Sequence, residues 1–188
     1  FEAKLRRYDL PRTSWLRSAN VLAEPPVLHD VVEHQHGPEG SHSHGVVDGH
    51  TWVDPQTAGK QLEAIRQRLV QEGFCSEEQS QQNVRPLVDQ LQQSHQAFSE
   101  IDPQSVAFYA NRAVYDYLAR THGWNITSFD FDPESPLPEE VASELAPMKE
   151  NCIFLLESAP CPELVEGLGK LQITHVVLPT GADTSGDG

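Results

Sequence analysis

Five histidines, His34, His36, His42, His44 and His50, fall within 17 residues. Neutral imidazole is a common ligand for zinc, copper and nickel, and the H-x-H pairs His34/His36 and His42/His44 can bring two nitrogens to one ion even on a flexible chain. The chemistry this pattern points to is capture of a transition-metal cation. The same stretch, 33–49, is rich in Gly, Pro, Ser and His, a composition that also describes a polar loop that merely contains histidines. Such a loop is expected to be mobile until a ligand orders it, and the ordering entropy predicts only modest affinity for these four residues. His50 differs from them. It stands in "DGHTWVDP", where Trp52 and the helix start at Asp54-Pro55 would fix its backbone, and preorganisation is what a selective metal site needs. A solvated loop histidine beside a capping motif is the plainer reading of the same residues.

The elements that must position these groups follow from periodicity and punctuation. "FEAKLRRYDL" spaces Phe1, Leu5 and Tyr8 as a short amphipathic helix stopped by Pro11, and "SANVLAEPPVLHDVV" suits a short strand or extended loop. Asp54 offers an N-cap and Pro55 a first helical residue, with Ala58, Leu62, Ile65 and Leu69 on one face until Gly73. A second helix is predicted from Ser76, which forms a capping box with Gln79, to about Ile101; Pro86 should kink it or delay its start. Beyond Pro103, strands alternate with helices: "SVAFYA", "RAVYDYLARTHG", "NITSFDF", "PEEVASELAPMKE", "NCIFLLES", "PELVEGLGK" and "ITHVVLP". That alternation predicts an α/β parallel sheet with right-handed crossovers and flanking helices. Ligands of such sheets bind outside the strands' carboxyl ends, so Tyr109–Arg112, Asp130–Glu134, Glu157–Cys161 and Pro179–Asp183 should share one rim.

Composition removes several functions. A formal net charge of −15, with no basic stripe to offset it, would repel phosphate backbones and argues against nucleic acid as a partner. No apolar run is long enough to insert in a membrane as a spanning helix, and Phe1 starts inside an amphipathic segment, as expected of a chain from which an earlier stretch has been removed. Cys75, Cys152 and Cys161 form no C-x-x-C pair; a bridge between Cys152 and Cys161 is possible but unsupported by spacing. There is no G-x-S-x-G elbow, Walker loop, G-x-G-x-x-G or H-E-x-x-H, so an enzyme is not expected. The carboxylates of "DFDPESPLPEE" read as capping and solvation of a helix N-terminus.

The order "FEAKL", histidine-rich loop, "DGHTWVDPQTAGKQLEAI", "YDYLARTHGW", "FDPESPLPEEV", "IFLLES" and "HVVLPTGAD" resembles the zinc and manganese solute-binding proteins of bacterial ABC importers. The resemblance covers nearly the whole chain, and "GHTWVDP" and "ESPLPEEV" are its most specific parts. It implies a two-lobed α/β solute-binding fold with a long linking helix and metal in the cleft. On that frame 1–75 is an incomplete N-terminal lobe carrying the loop, 76–101 the linking helix and 102–188 the C-terminal lobe, in a chain that begins partway in and stops early. The family's first ligand would lie before Phe1, and the second, in H-x-W-x-D-P, falls on His50. The third falls on Arg112, which has no lone pair to give. The fourth falls on Pro179 or a gap, with Asp183 the nearest carboxylate. Arg112 could then pair with Glu157 or Asp183 and close the cleft. The implied cargo is zinc, with manganese less expected; the implied partner is an ABC permease and the implied place periplasmic or extracytoplasmic. A family member that has lost the cleft site and serves as an interaction or structural module is the alternative.

Overall fold

Asp54 and Ser76 each start a helix by the same device, a side-chain oxygen accepting a backbone N–H that the first turn cannot satisfy internally. The computed structural model describes residues 16–29, 46–148 and 151–180. Helix α1, Pro55–Gln71, has Asp54 as N-cap, its carboxylate accepting from the Thr57 amide at 2.9 Å. Helix α2, Glu77–Ser99, carries the full capping box, with Ser76 and Gln79 each accepting from the other's backbone. Pro86 lies inside α2 and neither delays nor divides it. A single missing donor is tolerable on a helix whose side chains are mostly exposed. Arg66 joins the two helices from α1, with Nε and one terminal nitrogen on the two Glu63 oxygens at 2.7 Å and the other on Glu77 at 2.7 Å. This fork holds the Glu63 carboxyl below its ordinary range.

Upstream, a 3-10 turn at Ser18–Val21 precedes strand β1, Leu28–His29, which pairs antiparallel with β2, Val46–Val47. The loop expected over 33–49 therefore ends earlier than its composition suggested. Two β-branched valines, Val46 and Val47, pair with β1, and the part of that stretch before 46 lies outside the described residues. The helix expected at 1–10 lies outside the described residues.

The remaining strands are β3 (Ala107–Ala110), β4 (Ile126–Ser128), β5 (Cys152–Leu156) and β6 (Thr174–Val177), all parallel in the order β4-β3-β5-β6. Between them run α3 (Asp116–His122), α4 (Glu139–Leu145) and α5 (Pro162–Lys170). The chain steps outward from β3 to β4, then crosses back over β3 to β5, so the order reverses between β3 and β5. Period-two alternation splits the core by sheet face. Tyr109, Phe154 and Leu156 pack with Val141 and Leu145 of α4 and Leu164 and Leu168 of α5. On the other face, Phe108, Ala110 and Leu155 pack with Leu118 of α3 and Trp124, covered by Val53, Phe98 and Ile101.

Two expectations are corrected. Helix α3 starts at Asp116 and not Arg112, because the preceding residues are drawn to the sheet rim by contacts described below. All three cysteines are free thiols. Cys152 opens β5 and Cys161 follows its far end, so a strand of roughly 13 Å at about 3.3 Å per residue separates them, well beyond disulfide reach. Cys161 instead caps α5, its sulfur accepting from the Leu164 amide at 3.4 Å.

Leu168 of α5 is fully buried, whereas Leu69, read as an apolar helix-face position, is 42% exposed. Leu168→Ala is expected to lower unfolding free energy by about 2–5 kcal/mol, and Leu69→Ala to change it by no more than about 0.5 kcal/mol, in parallel urea titrations.

Candidate metal site

The point where strand order reverses leaves a crevice at the carboxyl ends of β3 and β5, and Asn111 fills it. Its side chain is 0% exposed. The amide nitrogen donates to the Phe131 carbonyl at 3.1 Å and to Glu157 Oε1 at 3.3 Å, while the amide oxygen accepts from the Glu157 backbone at 3.1 Å. The Asn111 backbone N–H donates to Leu155 O. One side chain thus ties together the exits of β3, β4 and β5.

Arg112 follows, and its Nε lies 3.1 Å from Glu157 Oε1 and 4.0 Å from Asp130. The contact with Glu157 is an ion pair without hydrogen-bond alignment. Glu157 is buried while the Arg112 side chain is 43% exposed, so the guanidinium supplies a cation to a carboxylate that has little access to water. Where the resemblance places a metal ligand, the rim carries a fixed positive charge held by an acidic neighbour.

His50 reaches the same rim from the N-terminal side. Its backbone and ring are both fixed by Asp48, whose Oδ1 accepts from the His50 amide at 2.8 Å and contacts His50 Nδ1 at 2.7 Å. Asp48 is held in turn: its amide donates to Val27 O at 2.9 Å, and Tyr117 of α3 donates to its carbonyl at 3.4 Å while accepting from the Val27 amide. After His50 a 3-10 turn, Thr51–Val53, leads into the Asp54 cap. Trp52 crosses to the C-terminal strands, its indole N–H donating to Thr180 O at 2.7 Å, and its ring stands 5.6 Å from that of His50. Since Leu178 N donates to Leu156 O, that anchor lies beside the β5 exit and Glu157. Tyr115 closes the corner by donating to Leu178 O at 2.9 Å; burial, helped by the Glu157 charge, pushes its phenol well up, so it remains a donor.

Among the described residues, no three His, Cys, Asp or Glu side chains converge as a metal-binding set. The structure brings Arg112 and Glu157 together and places His50 at the same end of the sheet. His34, His36, His42, His44 and Asp183 lie outside the described residues. Sequence reasoning missed Asp48, Asn111 and Tyr117. The Asp-x-His spacing of the first and the Tyr-x-Tyr spacing of the last were visible, but only their partners give them meaning.

Behind the His50 turn lies a second, buried histidine group. His122, at the end of α3, has a side chain only 2% exposed, with Nε2 at 4.0 Å from Asp54 and Nδ1 at 3.3 Å from Ser99 of α2. The His95 ring of α2 stands 5.0 Å from it, with Phe98 and Trp124 alongside. Burial, reinforced by His95 and only partly opposed by Asp54, lowers the His122 pKa.

Residues 13–176 match the family model described as zinc-uptake complex component A, periplasmic. The zinc-binding lipoprotein AdcA of Streptococcus pneumoniae strain R6 is 29% identical over 120 residues, which make up 63% of this chain and 23% of AdcA. Among solved structures, the Zn(II)-bound ZnuA-like domain of S. pneumoniae AdcA gives a TM-score of 0.58 at 22% identity, covering 71% of this chain and 53% of that domain. The metal-dependent lipoprotein YcdH of Bacillus subtilis gives 0.57 at 17% identity, covering 71% and 53%. The chain thus spans about half the length of these structures and less than a quarter of the curated relative. The likeness carries the fold, a mixed α/β arrangement around a parallel sheet.

A histidine whose folded pKa lies below the unfolded value of about 6.5 binds its proton more readily when unfolded, so stability present above that pH is lost as pH falls through it. The melting temperature should therefore drop on acidification below about pH 6.5, and His122→Gln, which cannot titrate, should flatten that slope. Equal slopes in the two proteins would mean that His122 is not the group responsible.

Proposed function

This chain belongs to the zinc-uptake complex component A family, and from that membership we propose that it is an extracytoplasmic zinc-binding solute-binding protein, or a portion of one, that serves an ABC importer. The observation that carries the reading is His50, which stands in the H-x-W-x-D-P segment with its backbone fixed, one ring nitrogen tied to Asp48 and the ring 30% exposed. The zinc-binding character of the pneumococcal relative, and the Zn(II) in its solved domain, support zinc over manganese as cargo. Zinc takes four N, S or O donors, so His50 needs partners, which we assign to the loop histidines His34, His36, His42 and His44. In this reading 1–75 contributes part of one lobe, 76–101 the linking helix and 102–188 the second lobe. The chain captures and delivers cargo and performs no catalysis.

One observation favours a second reading. The Arg112–Glu157 pair puts a cation where a family ligand is expected, which suits a member that has given up cleft binding and acts as an interaction module. Calorimetric zinc titration of the chain, of His50→Ala, of a variant lacking the four loop histidines, and of Arg112→His separates the two. Under the first reading one tight site is present and both His50→Ala and the loop variant weaken it at least tenfold, the scale expected when a metal loses a ligand's support. Under the second, wild-type binding is weak, multi-site and indifferent to His50, and Arg112→His creates tighter binding by returning a lone pair to the rim.

A further inference from the structure

We propose that Asp48 is the positioning residue of the metal-binding histidine: its buried carboxylate fixes the tautomer and ring orientation of His50 so that Nε2 faces a zinc-type cation. The proposal rests on the reading of His50 as a ligand and adds to it the group that makes the ligand selective.

The argument begins with one oxygen. Asp48 Oδ1 accepts from the His50 backbone N–H at 2.8 Å and lies 2.7 Å from Nδ1 of the same residue. A carboxylate can only accept, so the second contact requires the proton on Nδ1. A neutral imidazole carries one proton, which leaves the lone pair on Nε2. No described group takes that lone pair, and the ring is 30% exposed. Coordination through Nε2 then expels no proton from the ring and requires no rotation of it.

What distinguishes this pair from a chance loop contact is the burial of the acceptor. The Asp48 side chain is 0% exposed, and its backbone is pinned on both sides, by Val27 O and by the Tyr117 hydroxyl. Trp52, anchored on Thr180, has its ring centroid 5.6 Å from that of the imidazole and tilted 54° to it. Rotation about the ring axis would break a 2.7 Å contact that water cannot easily replace. Histidines that bind metals characteristically donate their other N–H to such a carboxylate, and loss of that partner weakens affinity by about 10–100-fold. The negative charge behind the ring also strengthens it as a donor to a cation. Nothing comparable supports Arg112, which draws on its own carboxylate, Glu157, for a different cation.

Two measurements on the full 188-residue chain test this. Long-range 1H–15N correlation, with the His50 signals assigned by loss in His50→Gln, reads the tautomer without metal. Wild type should show Nδ1–H, and Asp48→Asn, which has the same shape but can turn a donor toward the ring, should shift His50 toward Nε2–H. Zinc titration should show Asp48→Asn binding about 10–100-fold more weakly than wild type, with an unchanged melting temperature. If Asp48→Asn does not fold, the wild-type tautomer decides. An Nε2–H ring in wild type overturns the proposal, as does undiminished affinity in folded Asp48→Asn when His50→Gln abolishes binding. Zinc binding that ignores His50→Gln overturns the underlying ligand reading instead, and the proposal with it.

Discussion

Asn111 is the constraint on which the rim of this molecule depends. A parallel sheet whose strand order reverses leaves backbone groups at the exits of neighbouring strands facing a gap that no ladder can fill. Asn has both a donor and an acceptor on one rigid amide, and here it spends the donor on Phe131 and Glu157 and the acceptor on the Glu157 amide. An aspartate would lack the donor and would set a second negative charge against Glu157; a leucine would leave buried polar groups unpaired at about 1–3 kcal/mol each. With Asn111 in place, Glu157 is fixed at the rim, Arg112 is drawn to it, and α3 cannot begin until Asp116. The late helix start then aims Tyr115 at Leu178 and Tyr117 at Asp48, so the crevice filled by Asn111 is linked to a loop residue 63 positions upstream of it.

This arrangement makes the rim electrostatically divided. On one side a guanidinium stands over a buried carboxylate; on the other an imidazole is backed by a second buried carboxylate. Both acids are withdrawn from solvent while their partners are partly exposed. The formal net charge of −15 favours cations over anions near the chain as a whole.

Much of the fold was legible because local signals agreed with the global one. Asp54-Pro55 and Ser76 with Gln79 gave two helix starts, and four β-branched or aromatic runs separated by short helices gave the parallel sheet. Boundaries were less legible where tertiary contacts overrode propensity: "RAVYDYLARTHG" is helical by pattern, yet its first residues serve the crevice. Pro86 does not delay the start of α2, because a mostly exposed helix can lack one hydrogen bond and still continue. Within the candidate site, residue type alone singled out His50, because an imidazole is a common metal donor. Asp48 looked like a turn residue beside Gly49, and Asn111 like a loop residue, because their value lies in partners 69 and 46 positions away.

The bonds around His50 differ in how far they reach along the chain. The Asp48 contact spans two residues and can form as soon as both are made. The others close over 69 residues to Tyr117, 90 from Val27 to Tyr117, and 128 from Trp52 to Thr180. Loop closure of that length is slow and follows the formation of the elements it joins. During synthesis the histidine and its carboxylate are therefore made well before the partners that shelter them, and that shelter is complete only when β6 and Thr180 have left the ribosome. The pair closest together in sequence can thus be joined first, and its surroundings are completed last.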